Sequence, residues 1–189
     1  MSTSIPHDPE KAALLVIDMQ EFFRSDVVDK IIPSVKSIVL TCHKKGIPVL
    51  WTQHGHMNVE FDGGALARWW KILKELESIV SRSPTSINTL DFIIQSKTRY
   101  DAFYKTELNS FLISFGIKTL IISGVKTNLC CETTARRAFD ENYNIVFLED
   151  ATATDTKEMH KATLLNIGYG WGIVATVDHT IKWLSTYEK

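Results

Sequence analysis

The chain has 189 residues, of which 44% are hydrophobic and 23% are charged, as expected of a globular protein with one sizeable core. Its formal net charge of -1 provides no basic field for nucleic acid or anionic lipid, and no apolar stretch approaches the roughly 18 residues of a membrane helix. Three cysteines, two of them adjacent, do not form a disulfide framework. Together with a polar start unlike a signal peptide, they predict a cytosolic protein with one domain over residues 1–189.

Short apolar runs alternate with segments of helical spacing along the whole chain. The predicted elements are a strand at 12–17, a helix at 27–45, a strand at 47–52, a helix within 65–80, a strand at 92–97, a helix at 106–115, a strand at 120–122, a helix from 127, a strand at 144–148, a helix from 156, a strand at 172–177 and a helix at 180–187. Residues 81–89 are rich in turn formers.

Several helix boundaries carry specific signals. Pro33 is expected near the start of the first helix, where proline is tolerated, and Gly46 is expected to end that helix. Asp155 is predicted to cap the helix that starts at Thr156, with Glu158 completing a capping box.

This alternation predicts a three-layer, doubly wound α/β fold, with a mostly parallel sheet of about six strands and helices on both faces. In such a sheet the carboxyl ends of all strands lie at one edge. Asp18, Lys97, Cys130 and Asp150 follow predicted strands, so we expect them to meet in one crevice.

The segment 119–139, TLIISGVKTNLCCETTARRAF, contains the adjacent cysteines and changes from strand to helical spacing. Thr127 or Asn128 is predicted to cap the helix, which places Cys130 in its first turn. The positive end of the helix dipole would make that thiol easier to ionise. The alternative is that Cys130 and Cys131 are small apolar residues that pack the helix onto the sheet.

Three motifs together resemble the isochorismatase-like cysteine hydrolase superfamily. They are DMQ from Asp18, KTRYDAFYKTEL from Lys97 and GVKTNLCCETTARRAF from Gly124. Within that superfamily, TNLCCETTAR, DATAT from Asp150 and HKATLLNIGYG are most similar to the nicotinamidase-like branch.

The resemblance implies a catalytic triad of Asp18, Lys97 and Cys130, in which the cysteine attacks a carboxamide and forms a thioester. It also implies an oxyanion hole made by the backbone N–H groups of Lys126 and Cys130, with a cis peptide between Val125 and Lys126. Cys131 is the weaker nucleophile candidate because a one-residue step turns its side chain about 100° away. Cys42 is expected to be structural.

The sequence TQHGH stands where metal-binding nicotinamidases offer an aspartate and then a histidine. His54 and His56 therefore suggest a site for zinc, iron or manganese with Asp62 as a third ligand. The alternative is that both histidines line the pocket mouth or bind polar groups of the substrate. The sequence does not require a cofactor.

Aromatic residues supply a possible substrate slot. Phe23 matches the pocket aromatic of the family, whereas the role of Phe22 is unexplained. Trp69 and Trp70 follow the histidine segment and could complete a flat apolar slot, although adjacent tryptophans are often core or subunit-interface residues.

The leading hypothesis is an amidohydrolase that cleaves a small, nicotinamide-like carboxamide to acid and ammonia. Alternatives are a hydrolase of another small amide or of an N-carbamoyl or ureido compound, an isochorismate hydrolase, and a catalytically silent scaffold. The partner is expected to be a small-molecule amide, and the resemblance implies a homo-oligomer.

Overall fold

The computed structural model describes residues 5, 8–70 and 91–186. Within these residues, six strands form one sheet in which every pair of neighbours is parallel. The strands are β1 (Ala12–Ile17), β2 (Val49–His54), β3 (Asp91–Lys97), β4 (Thr119–Val125), β5 (Asn144–Ala153) and β6 (Ile173–Ala175). Their order is β3-β2-β1-β4-β5-β6.

Helices connect successive strands and cover both faces of the sheet, which confirms the predicted doubly wound α/β fold. They are α1 (Asp26–Lys45), α2 (Val59–Asp62), α3 (Gly64–Trp69), α4 (Leu108–Ser114), α5 (Glu132–Asp140), α6 (Lys157–Gly170) and α7 (Val177–Leu184). No helix in the described part of the chain is both long enough and apolar enough to cross a membrane.

Strand β1 lies at the centre of the sheet and divides the core in two. Leu14 and Val16 pack in a cluster with residues of α1 and α7, whereas Leu15 and Ile17 pack in a second cluster with residues of α4 and α5. Each of these four side chains is fully buried. Burial on both faces explains why the strand is a continuous apolar run instead of an alternating one.

The strand order reverses direction at β1, which pairs with β2 on one side and with β4 on the other. In open α/β sheets, ligands bind at such a switch point, outside the carboxyl ends of the strands. Asp18 follows β1 and Cys130 follows β4, so the fold itself brings these two residues together.

Strand β2 runs over Val49–His54 instead of the predicted 47–52. The N–H of Ile47 donates to Cys42 O at the end of α1, so the strand begins only after Pro48. The strand therefore continues to His54, which the sheet register aligns with Lys97 in β3. His54 thus lies at a strand end next to Lys97, a position that the sequence pattern did not predict.

Other boundaries also differ from the predictions. Pro33 lies well inside α1, on an exposed face of the helix. Proline has no N–H to donate to the carbonyl of Asp29, four residues earlier, and on an exposed face water can take its place. Thr156, and not Asp155, caps α6 by accepting a hydrogen bond from the N–H of Met159. Gly46 ends α1 in a left-handed conformation as predicted.

Two helices and one strand have other bounds than those predicted. The helix expected at 106–115 spans Leu108–Ser114, the strand expected at 172–177 spans Ile173–Ala175, and the last helix begins at Val177. The helix expected within 65–80 is present as Gly64–Trp69, and its residues 71–80, like the turn-rich 81–89, lie outside the described residues.

Gly124 allows β1 and β4 to approach closely at the switch point. Its φ is 110°, a conformation that favours glycine, and it is aligned with Ile17 in β1. A Cβ atom at this position would lie 2.1 Å from the carbonyl oxygen of Ile17. Any larger residue would push apart the two strands that carry Asp18 and Cys130.

We therefore expect Gly124→Ala to reduce the free energy of unfolding by about 3 kcal/mol, because it adds backbone strain and overpacking at once. Gly116→Ala is a matched control, since Gly116 also has a positive φ of 64° but a Cβ there meets no described atom within 4 Å apart from its chain neighbours. The control should cost about 1 kcal/mol. Urea unfolding followed by circular dichroism measures both, and equal losses would contradict the close-contact explanation.

Candidate active site

Asp18 is held in place by β2 and β3. Its backbone has a φ of 50°, an uncommon value that aspartate tolerates better than most residues, and its N–H donates to Thr52 O over 3.2 Å. The Thr52 hydroxyl donates to Asp18 Oδ1 over 2.6 Å, and Lys97 Nζ donates to Asp18 Oδ2 over 2.5 Å. The carboxylate is fully buried, and both of its oxygens have a strong donor.

Lys97 is fully buried at the end of β3, and its ammonium group contacts three side chains. It lies 2.5 Å from Asp18 Oδ2, 3.4 Å from Cys130 Sγ and 3.4 Å from His54 Nδ1. Burial by itself would lower the pKa of Lys97, but the neighbouring Asp18 and Cys130 raise it above its ordinary value. The side chain therefore remains an ammonium group.

Cys130 lies in a π-helical turn, Thr127–Cys131, between β4 and α5. Burial raises the pKa of its thiol to about 12, Lys97 opposes this shift, and Asp18 adds to it. The expectation of an easily ionised thiol is therefore wrong for the resting protein, because burial outweighs both the helix start and the nearby ammonium. The resting site holds a protonated sulfur beside an Asp18–Lys97 ion pair.

The turn that carries Cys130 is tied to the β5–α6 connection. The peptide bond between Val125 and Lys126 is cis, as the resemblance implied. Neither Thr127 nor Asn128 caps the following helix, because the Asn128 side chain contacts the β5–α6 connection and the Thr127 side chain contacts His160 in α6. The contacts are Lys126 with Asp155, Thr127 Oγ1 with His160 Nδ1 at 3.0 Å, and Thr154 Oγ1 with Asn128 Oδ1 at 2.6 Å.

The other residues singled out in the sequence lie outside the triad. Cys131 is fully buried in the core next to Cys130, and Cys42 is fully buried in α1, where burial raises the pKa of its thiol. Asp150 was expected in the crevice, but it lies within β5 and accepts a hydrogen bond from the N–H of Val177 at the start of α7. The prediction for Asp150 is wrong because β5 continues to Ala153.

The three predicted metal ligands are neighbours, with the His54 and His56 ring centroids 5.2 Å apart, but hydrogen bonds within the protein engage His54 Nδ1, His56 Nδ1 and Asp62. Asp62 is engaged by His56 Nδ1 at 2.9 Å and by the N–H of Met57 at 2.7 Å, and His54 Nδ1 faces the ammonium of Lys97. His56 Nε2 is buried and has no partner within the described residues, but one imidazole nitrogen does not form a metal site. Residues 5, 8–70 and 91–186 contain no group of three His, Cys, Asp or Glu side chains that could hold a metal ion.

His54 instead belongs to the pocket beside Cys130. Burial, followed by the nearby charge of Lys97, lowers the pKa of His54 to about 4. The imidazole is therefore neutral at physiological pH. It offers a polar ring at the pocket wall, which agrees with the alternative that the histidine faces the substrate.

A pocket of about 300 Å³ opens beside Cys130, at the lower end of the volumes found for small-molecule sites. Phe23 and Trp70 lie in its wall, and Trp70 donates to the Tyr100 hydroxyl over 2.5 Å. Trp69 is 78% exposed and is not among the described lining residues, so Trp70 is the one of the two adjacent tryptophans that lies in the pocket wall. Among the described residues, the lining consists of Phe22, Phe23, Arg24, Ser25, His54, Leu66, Trp70, Tyr100, Lys126, Leu129, Cys130 and Asp155.

Sequence reasoning missed three residues that organise the site. Thr52 holds Asp18, as described above, and Phe22 lines the pocket. The Gln20 side chain forms two hydrogen bonds with the backbone of His54, at 3.1 and 2.7 Å. Gln20 belongs to the DMQ motif, but its partner could be identified only once β1 and β2 were known to be neighbours.

The family model described as Isochorismatase domain matches residues 12–179. The chain belongs to the isochorismatase family. It is 38% identical over 172 residues to Nicotinamidase 3 of Arabidopsis thaliana, covering 88% of this chain and 85% of that protein. It is 32% identical over 203 residues to a ureidoacrylate amidohydrolase of Caulobacter segnis, covering 91% of this chain and 85% of that protein.

The fold of this family member is also found among solved structures. A cysteine hydrolase from Pseudomonas syringae superposes with a TM-score of 0.87 at 23% identity, covering 97% of this chain and 96% of the other. At that identity the likeness concerns the fold alone. Family membership and the two amidohydrolase relatives confirm the prediction of a hydrolase that acts on non-peptide C–N bonds.

The raised thiol pKa leads to a prediction about alkylation by iodoacetamide. Because the pKa lies near 12, the thiolate fraction of Cys130 should increase about tenfold for each unit of pH between about 7 and about 9. Asp18→Asn should speed labelling about tenfold, and Lys97→Met should slow it by a similar factor, since Asp18 raises the thiol pKa and Lys97 lowers it.

Intact-protein mass spectrometry measures the labelling rate. Cys130→Ala is the control, because the other two cysteines are fully buried and should not react on the same timescale. A labelling rate that levels off near neutral pH would contradict the raised pKa.

Proposed function

We propose that this protein is a cysteine-dependent amidohydrolase that cleaves a small, neutral carboxamide such as nicotinamide to the acid and ammonia. The observation that carries the proposal is the Lys97 ammonium, which lies within hydrogen-bonding distance of both Asp18 and Cys130 at the end of the pocket. A carboxylate that can serve as both base and acid and a sulfur nucleophile thus flank one buried cation.

The first step transfers the thiol proton of Cys130 to Asp18 as the sulfur attacks the carbonyl carbon of the amide. Lys97 remains next to both groups, so it stabilises the sulfur as negative charge develops on it. The products of the step are a tetrahedral adduct with a new S–C bond and a protonated Asp18. Because burial raises the pKa of the thiol, the sulfur carries its proton before the attack, and that proton leaves in this step.

The second step breaks the C–N bond. Asp18 passes its proton to the leaving nitrogen, ammonia departs, and a thioester of Cys130 remains. Asp18 then takes a proton from water as the water attacks the thioester, and it returns that proton to the sulfur when the S–C bond breaks. One water molecule is consumed, and the products are the carboxylic acid and ammonia.

The negative oxygen of each adduct requires preorganised donors. The family resemblance assigns this role to the backbone N–H groups of Lys126 and Cys130. The ties between the Cys130 turn and the β5–α6 connection support this assignment, because they hold Lys126, Thr127 and Asn128 in fixed positions. Such rigidity is what an oxyanion site needs.

The pocket favours a flat, neutral amide over an anionic one. Four aromatic side chains, Phe22, Phe23, Trp70 and Tyr100, line it. Its two cationic side chains among the described lining residues, Arg24 and Lys126, are already paired with carboxylates. This supports an aromatic carboxamide as the substrate, in line with the name Nicotinamidase 3 of the plant relative. It argues against an anionic ureido acid, which is the substrate in the name of the bacterial relative.

We expect pure protein to release ammonia from nicotinamide with a kcat/KM at least about tenfold higher than from ureidoacrylate, because both cations among the described lining residues are paired with carboxylates. Coupled detection of ammonia measures both rates. The assay is run with a chelator and with added zinc, iron or manganese. Turnover of isochorismate alone, or of no substrate under any of these conditions, would replace the proposal with a vinyl-ether hydrolase or a silent scaffold.

Substitutions test the roles of the triad. Cys130→Ala should reduce kcat roughly ten-thousandfold, and Asp18→Asn roughly thousandfold, because the first removes the nucleophile and the second removes the proton acceptor. Rapid acid quenching during turnover, followed by mass spectrometry, should detect an acyl adduct on Cys130 in the active protein.

Cys42→Ala is the matched control, since that cysteine is also buried but belongs to α1. It should retain activity within about twofold. Full activity in Cys130→Ala would remove the cysteine from the mechanism.

A further inference from the structure

Lys126 and Asp155 form an ion pair in the wall of the pocket that contains Cys130. They come from different parts of the fold, because Lys126 directly follows β4 and Asp155 lies between β5 and α6. The lysine side chain is 23% exposed and the aspartate side chain is 60% exposed. The cation is therefore the more enclosed partner, and the carboxylate covers it from the solvent side.

Asp155 is not the capping residue of the neighbouring helix. The cap of α6 is Thr156, whose side chain accepts a hydrogen bond from Met159 N. The contact of Asp155 with Lys126 therefore stands apart from the capping of α6. An acidic residue in this position changes the charge of the pocket without being needed for the helix.

The second cation of the pocket wall is neutralised differently. Arg24 contacts Glu21 at 3.1 Å and Asp29 at 3.0 Å, so it retains a carboxylate partner after the loss of either one. For Lys126, the paired carboxylate is Asp155. Removal of the Asp155 carboxylate would therefore open the Lys126 ammonium group to the substrate. Removal of either Glu21 or Asp29 would leave the Arg24 guanidinium group with a carboxylate partner.

We propose that Asp155 is a specificity-determining residue, which makes the pocket select neutral carboxamides by cancelling the charge of Lys126. This inference rests on the proposed amidase function. A substrate that carries a carboxylate meets a paired lysine and a nearby aspartate of like charge. Without Asp155, the same carboxylate meets an unpaired ammonium, and a charge-assisted hydrogen bond becomes available.

The test compares the kcat/KM for anionic amides with the kcat/KM for nicotinamide in each variant. Ureidoacrylate and 3-carbamoylbenzoate are the anionic probes. Taking the ratio within one variant cancels any loss of active protein. Asp155→Asn should raise the ratio about fivefold to tenfold, because a partly exposed ion pair becomes available to the substrate.

The opposite substitution should have the opposite effect. Lys126→Met keeps a long unbranched side chain but leaves the Asp155 carboxylate unpaired, so it should lower the ratio by about fivefold. The double variant should fall between the two single variants. Added salt should diminish the gain of Asp155→Asn, since an exposed pair is screened.

Asp140→Asn is the control for net charge, because it removes an exposed carboxylate at the end of α5, outside the pocket. It should leave the ratio unchanged. An unchanged ratio in Asp155→Asn for both anionic probes, while nicotinamide is still hydrolysed, would overturn this inference and leave the amidase function intact. Absence of nicotinamide turnover in the wild-type protein would instead overturn the proposed function, and this inference with it.

Discussion

A lysine ammonium with no exposure to solvent is the constraint on which the site depends. A buried charge without partners is unfavourable by several kcal/mol, so Lys97 is compatible with folding only because Asp18 lies 2.5 Å away. The same ammonium is 3.4 Å from Cys130. The ion pair that makes the buried lysine tolerable therefore also places a positive charge beside the sulfur, which is the charge that the proposed mechanism uses.

The sequence pattern predicted the features that depend on local spacing. The apolar run of β1, the glycine that ends α1 and the alternation of strands and helices all follow from residues close together in the chain. The three triad residues could be grouped because each follows a strand of a parallel sheet, and such ends share one edge. Recognition of the DMQ, KTRY and TNLCC motifs added the roles that geometry alone leaves open.

The remaining features depend on which strands are neighbours and on how deeply each group is buried. Thr52 could not be linked to Asp18, nor Gln20 to His54, until β1 and β2 were known to pair. The pKa of Cys130 was predicted in the wrong direction because desolvation depends on the whole core, and not on a helix start. Trp69 and Trp70 are adjacent in the sequence, and only the orientation of their side chains in the folded protein decides which one faces the pocket.

The double hydrogen bond between Gln20 and His54 couples two parts of the protein that could otherwise vary separately. Gln20 directly precedes the short turn Glu21–Phe23, which carries the pocket aromatics Phe22 and Phe23. His54 occupies the end of β2, beside Lys97. A mutation that moves Phe22 or Phe23 therefore also disturbs the end of β2, through the hydrogen bonds between Gln20 and His54. Asp155 also lines the pocket but is not part of the Gln20–His54 hydrogen bonds, so a substitution there changes the charge of the pocket without breaking this link.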